Sequence, residues 1–82
     1  MTKQALNKIE KLINELNKKN EKFLNSYTLK ATQYKRGSYA GSIEYSQFFS
    51  TDFERLMDIV KTDNLILWLG TYTENLAHIE IQ

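Results

Sequence analysis

Along the chain, the spacing of the apolar residues is first typical of a helix and then of strands, and this succession of helix and strand spacing occurs twice. Between residues 5 and 24, apolar side chains recur every three or four positions, whereas residues 27–45 alternate. Residues 51–62 return to the helical period, and residues 65–81 again favour strands. The sequence therefore predicts a helix at about 3–24, a hairpin at about 27–47, a helix at about 51–62 and a hairpin at about 65–81.

This order predicts a small α+β domain built of two layers. A chain of 82 residues buries only about 60 to 65% of its unfolded surface, so one modest core is available. An antiparallel four-stranded sheet with two helices packed on it is the layered arrangement that such a pattern favours. We therefore expect a single domain spanning residues 1–82.

The first helix carries a wide apolar stripe, and Thr2 or a neighbour is placed to cap its start. The same residues also fit a short heptad repeat. Position a would be occupied by Leu6, Ile13 and Asn20. Position d would be occupied by Ile9, Leu16 and Phe23. An Asn at position a fixes register in two-stranded coiled coils, so a homodimer through this helix is one alternative. Leu12 and Leu24 widen the stripe, which favours packing on a sheet instead.

The first hairpin turns in the segment Arg36-Gly37-Ser38. A three-residue loop there keeps apolar side chains on one face, whereas a two-residue loop mixes the faces. The predicted register pairs Leu29 with Tyr45, Ala31 with Ile43, Lys30 with Glu44, and Thr32 with Ser42.

The second half begins with Thr51 and Glu54, whose spacing predicts a capping box at the start of the second helix. In the second hairpin the predicted register pairs Leu69 with Ile79 and Leu67 with Ile81. That register puts a complete apolar set on one face.

Few residues in the chain suit catalysis or metal binding. There is no cysteine, and His78 is the only histidine, with Glu80 expected on the same face of its strand. The three glycines are too scattered to form a phosphate-binding loop. We therefore expect a protein that is not an enzyme and that needs no cofactor or metal. Without a signal peptide or an apolar run long enough to span a bilayer, a cytoplasmic protein with no membrane contact is expected.

Charge divides unevenly along the chain. Residues 1–36 contain nine basic residues and three acidic residues, which gives a net charge of +6. Residues 37–82 contain two basic residues and seven acidic residues, which gives a net charge of −5. This asymmetry can provide a basic and an acidic surface for charged partners. Alternatively, the two halves neutralise each other once they pack.

A basic and aromatic strip lies at the first hairpin. Its members are Lys30, Tyr34, Lys35, Arg36 and Tyr39. Cations can contact phosphates and aromatic rings can stack on bases, so the strip suggests weak nucleic-acid binding. The competing interpretation is a charged hairpin that discourages pairing between sheet edges.

The second candidate surface lies on the outer face of the second hairpin. Its apolar members are Ile66, Trp68, Tyr72 and Leu76, and its charged members are Glu74 and Glu80. If both helices cover the other face, these aromatic side chains are exposed and suit a protein interface. If the helices divide between the faces, Trp68 lies in a second core instead.

We favour the protein-binding interpretation: a small accessory or inhibitor protein that occludes its partner, for which a nucleic-acid-handling enzyme is one candidate. By size and composition alone, such proteins resemble those of phages or mobile elements. Nucleic-acid binding and a homodimer through the first helix or the Trp68 face are the alternatives.

Overall fold

The computed structural model describes residues 1–70 and 76–82 and confirms the predicted α+β class. The elements are α1 (Lys3–Lys19), a 3₁₀ turn (Glu21–Phe23), β1 (Thr28–Gln33), β2 (Tyr39–Tyr45), α2 (Ser50–Thr62), β3 (Leu67–Leu69) and β4 (Ala77–Ile81). The strands form one antiparallel sheet in the order β1-β2-β4-β3. The α1 helix lies against β1 and β2 and also contacts α2.

The α1 helix begins as predicted, because the Thr2 hydroxyl accepts a hydrogen bond from the Ala5 N–H at 3.1 Å. It ends at Lys19, earlier than predicted, and Asn20 is its C-terminal cap. The apolar stripe is buried inside the chain, with Ile9 and Leu16 completely buried.

The heptad interpretation of α1 is therefore wrong. Asn20 is completely buried and bonded to the chain's own Asp52, and Phe23 lies beyond the helix with 58% of its surface exposed. The stripe packs against its own sheet, so it is not free to form a seam with the α1 helix of a second copy.

The first hairpin has a register two residues away from the predicted one. Leu29 lies opposite Ile43, and Lys30 lies opposite Ser42. The loop consists of residues 35–37, and Gly37, with a φ of 91°, is its last residue. The physical reason is that common three-residue loops need a left-handed residue at the third position, which Gly37 supplies. Because the shift is even, each side chain keeps its predicted face.

The second hairpin has the predicted register, with Leu67 opposite Ile81 and Leu69 opposite Ile79. Ile79 and Ile81 are completely buried beneath the helices. The alternation of apolar residues identifies the core face, and the predicted pairing within that face is the observed one.

The α2 helix begins without the predicted capping box. Its N-terminal cap is Phe49, which provides no side-chain hydrogen bond, and Thr51 and Glu54 are exposed. The polar residue of the first turn that turns inward is Asp52, which is completely buried.

Asp52 joins three segments that are distant in sequence. Its carboxylate forms an ion pair with Lys19 and accepts hydrogen bonds from Asn20 Nδ2 at 2.9 Å and from the Tyr27 hydroxyl at 2.8 Å. The Tyr27 hydroxyl in turn accepts a hydrogen bond from the Phe49 N–H at 3.1 Å. The end of α1, the entry to β1 and the start of α2 are thereby held together.

Asn17 holds the same corner through the backbone of Tyr27. Its Oδ1 accepts a hydrogen bond from the Tyr27 N–H, and its Nδ2 donates one to the Tyr27 carbonyl, both at 2.8 Å. The Tyr27 ring stacks on Phe48 at a centroid distance of 4.1 Å. Polar and aromatic contacts thus fix one residue, Tyr27, between the helices and the sheet.

Removing the Asp52 carboxylate should destabilise the domain strongly. In Asp52→Ala the Asn20 amide and the Tyr27 hydroxyl lose a buried acceptor, and we expect a loss of about 3 kcal/mol in the free energy of unfolding. Chemical denaturation measures this value. Asp58→Ala, in an exposed position of α2, is the matched control and should change stability by less than about 0.5 kcal/mol. Equal losses in the two variants would contradict the proposed role of Asp52.

Stability should also depend on the ionisation of Asp52. Burial opposes the charged form, but hydrogen bonds from Lys19, Asn20 and Tyr27 outweigh it and hold the pKa of Asp52 below its ordinary value of 3.8. A lowered pKa stabilises the fold above pH 3.8, and this contribution is lost as the pH falls through the folded-state pKa. Unfolding free energies measured against pH should therefore fall less steeply at acidic pH in Asp52→Asn than in the wild type.

Candidate protein-binding face

Among residues 1–70 and 76–82, no helix lies on one face of the sheet, which we call the open face. Because side chains alternate along strands, the residues opposite each other form rows across it. The central row is Lys30, Ser42, Glu80 and Trp68, and the rows beside it are Thr28, Glu44, His78 and Gly70, and Thr32, Ala40, Gln82 and Ile66. Both helices pack against the other face, which contains the buried Ile43, Ile79 and Ile81.

The apolar end of the open face lies at β3. Ile66 is 65% exposed, Trp68 is 41% exposed, and Leu76 is 38% exposed. Ile66 and Trp68 lie two residues apart on this face, and we call them the open-face patch, whereas Leu76 lies at the end of β4 remote from Gln82, the partner of Ile66. Trp68 is thus not in a second core. The other two predicted members, Tyr72 and Glu74, lie outside the residues that the structure describes.

The centre of the open face carries polar and charged side chains that contact one another. Lys30 Nζ lies 2.6 Å from Glu44 Oε1, and His78 Nε2 lies 3.3 Å from Glu80 Oε1. His78 and Glu80 share a face, as predicted. Glu80 lies directly opposite Trp68, so a carboxylate borders the open-face patch.

Gly70 makes room for the His78 ring. A Cβ atom at position 70 would overlap the imidazole, and the Gly70 N–H donates a hydrogen bond to the His78 carbonyl at 2.7 Å. The glycine therefore allows the ring to lie across the neighbouring strand of the open face.

The structure does not unite the basic and aromatic strip of the first hairpin. Tyr34 lies on the side of Lys30, and its hydroxyl accepts a hydrogen bond from Gln82 Nε2 at 2.9 Å. Tyr39 lies on the opposite face, where its backbone pairs with Met1. The ammonium of Lys3 lies 5.1 Å from the centre of the Tyr39 ring, a contact that no local sequence pattern indicates.

Lys35 and Arg36 are exposed at the tip between these two faces. The predicted residues thus form a basic tip with one tyrosine on each side, not a single continuous surface for stacking bases.

Part of the charge asymmetry of the sequence is balanced by ion pairs within the chain. Among the described residues, three ion pairs join a lysine of the first 36 residues to a later acidic residue: Lys8–Asp63 at 3.0 Å, Lys19–Asp52, and Lys30–Glu44 at 2.6 Å. The Arg55–Glu15 pair at 3.0 Å joins the minority charges of the two halves and leaves the asymmetry unchanged. The expectation that the halves neutralise each other once packed is confirmed at the three lysines.

Two exposed leucines were not singled out by sequence reasoning. Leu69 lies on the helix side as predicted but is 67% exposed, and Leu24, with a φ of 54°, is 97% exposed. A pattern of apolar residues identifies the face of a strand, but it does not show how far the helices extend over that face.

Among residues 1–70 and 76–82, no three His, Cys, Asp or Glu side chains cluster in a way that could hold a metal ion. No helix in this part of the chain is long and apolar enough to cross a membrane. Comparison of the chain with protein-family models, curated proteins and solved structures found no match.

The contact between Gly70 and His78 predicts a specific energetic coupling. Gly70→Ala should lower the free energy of unfolding by about 1 to 2 kcal/mol, because the added methyl group displaces the imidazole. In the double variant with His78→Ala, the loss should be smaller than the sum of the single losses. Gly41→Ala is the control, since a Cβ there meets Leu29 at an ordinary 3.4 Å. Additive effects of the two substitutions would contradict the contact.

Proposed function

We propose that this protein binds another protein through the open-face patch. The observation that supports the proposal is the exposure of Trp68 on a helix-free face, with the exposed Ile66 two residues away on the same face. A grouped set of large apolar side chains is uncommon on a surface without a partner. Trp is also among the residues that most often contribute the binding energy of protein interfaces.

The physical chemistry of the patch suits a small anchored interface. Covering the remaining surface of Trp68 and Ile66 would contribute about 1 to 2 kcal/mol for each side chain. The indole is rigid, so little side-chain entropy is lost when it is covered. Glu80, opposite Trp68, borders this apolar centre and would favour a partner with basic groups at the edge of the contact.

A flat face on a single small domain suits binding by occlusion, in which the protein covers a surface of its partner. The Glu80 carboxylate beside Trp68 favours a partner with a basic surface, and nucleic-acid-handling enzymes have such surfaces. We therefore extend the proposal to an accessory or inhibitor protein acting on an enzyme of this class.

Substitution of Trp68 tests the proposal. Affinity capture from a native lysate identifies the partner, and titration calorimetry then measures its affinity for purified variants. Trp68→Ala should weaken binding by at least about 30-fold, as expected for an interface anchor. Thr28→Ala is the control, because Thr28 is exposed on the same face but lies on β1, at the opposite edge of the sheet.

Ile66→Ala gives a second test that does not depend on the fold tolerating loss of the indole, since Ile66 is 65% exposed. Unchanged affinity in both Trp68→Ala and Ile66→Ala would overturn the proposal. Capture of nucleic acid, lost with Lys35→Ala and Arg36→Ala and weakened steeply by salt, would support the alternative function at the basic tip.

A further inference from the structure

The two edges of the sheet differ in how they discourage pairing with another strand. The β1 edge has Lys30, and the basic tip with Lys35 and Arg36 follows it. The β3 edge has neither charge nor proline, since residues 65–70 read LILWLG. Charged residues and prolines are the usual protection of exposed edges. Among the described residues, the β3 edge therefore lacks this protection.

The backbone of β3 has groups available for a further strand. Both the N–H and the carbonyl of Ile66 bond to Gln82, at 2.8 and 2.9 Å, and the Gly70 N–H bonds to His78. In an antiparallel pair these groups alternate in direction along the strand. The backbone groups of Leu67 and Leu69 therefore point away from β4, towards the free edge of the sheet.

We propose that β3 pairs with β3 of a second copy of this chain, antiparallel and about a twofold axis at Trp68. Leu67 of each copy then lies opposite Leu69 of the other, and the two sheets join into one of eight strands. The pairing involves the strand edge and leaves the open face of both copies uncovered. It is therefore distinct from the proposed binding of another protein.

The register follows from the backbone groups that are free. In this register, Leu67 of each copy pairs with Leu69 of the other. The two residue pairs are both hydrogen-bonded through the backbone, and they use only backbone groups that point away from β4. A register centred on Leu67 would need Leu65, whose N–H already donates to the Val60 carbonyl at 2.8 Å. Centring the axis on Trp68 avoids this conflict.

The side chains of this register are self-complementary. On the helix side, Leu69, which is 67% exposed, would contact Leu67 of the second copy. On the open face, the two Trp68 side chains would lie side by side as a closely spaced pair. A paired β1 edge would instead bring lysines of the two copies together, which is destabilising.

We favour a second copy over a strand of another protein for two reasons. The β3 edge has no charged side chain that could select a particular foreign strand. An identical edge supplies leucines at the matching positions. Because β3 has only three residues, the contact would bury less than the ~800 Å² per partner found in standard interfaces. We therefore expect a weak dimer whose formation depends on concentration. It would place two open-face patches side by side, as a composite surface to which each copy contributes one tryptophan.

Sedimentation equilibrium over a wide concentration range tests the dimer. The wild-type mass should rise from 9.7 kDa towards twice that value as concentration increases. Leu69→Lys and Leu69→Glu should each weaken association by at least about tenfold, because residues 69 of the two copies lie diagonally across the axis and like charges repel. Leu24→Lys, which alters an even more exposed leucine at the turn before β1, should associate like the wild type.

Mixing Leu69→Lys with Leu69→Glu should restore association as a heterodimer, since opposite charges then face each other across the axis. A wild-type protein that stays monomeric at millimolar concentration would overturn the inference, as would Leu69 variants that associate normally or fail to recover on mixing. A monomeric wild type that still loses its captured partner in Trp68→Ala would overturn the dimer alone and leave the proposed function intact.

Discussion

The buried carboxylate of Asp52 is the interaction on which the placement of both helices depends. It connects Lys19 and Asn20 at the end of α1 with the Tyr27 hydroxyl before β1, and it belongs to the first turn of α2. Burial and, to a smaller extent, the contact with Asp52 raise the pKa of Tyr27 to about 12, so the phenol remains a hydrogen-bond donor. The buried Asp52 carboxylate is stable only when all of these partners are in place. Its burial therefore favours the one arrangement of the three segments that brings the partners together.

That arrangement determines which surface remains available. Because Asp52 holds the start of α2 against the end of α1, both helices lie on the same side of the sheet, and the other side becomes the open face. The α1 helix lies against β1 and β2, near the edge of the sheet that is farther from β3. At the β3 edge, Leu69 lies on the helix-covered face but is 67% exposed. The exposure of Trp68 and the exposure of Leu69 thus have a common origin in how the helix layer is fixed.

The sequence was informative where one physical requirement dominated. Apolar spacing identified both helices, the strands and their core faces, and the predicted register of the second hairpin agrees with the observed one. It failed for the first hairpin, where the left-handed conformation of Gly37 decided the register and a shift of two residues left the faces unchanged. It also predicted a capping box at Thr51 and Glu54 and missed Asp52, whose partners lie 25 to 33 residues away. The open-face patch was predictable as a set of residues, but its exposure depended on the placement of the helices.

The two proposed contacts meet at β3 but use different sides of the strand. Ile66 and Trp68 lie on the open face, whereas Leu67 and Leu69 lie on the helix side and their backbone groups point to the free edge. Strand alternation therefore allows the same few residues to contact a second copy through the edge and a different protein through the open face. Since the paired edges would bring the two Trp68 side chains together, association would enlarge the apolar surface offered to a partner. A weak dimer would then be strengthened by any partner that contacts both copies, because binding to the dimer alone shifts the equilibrium towards it.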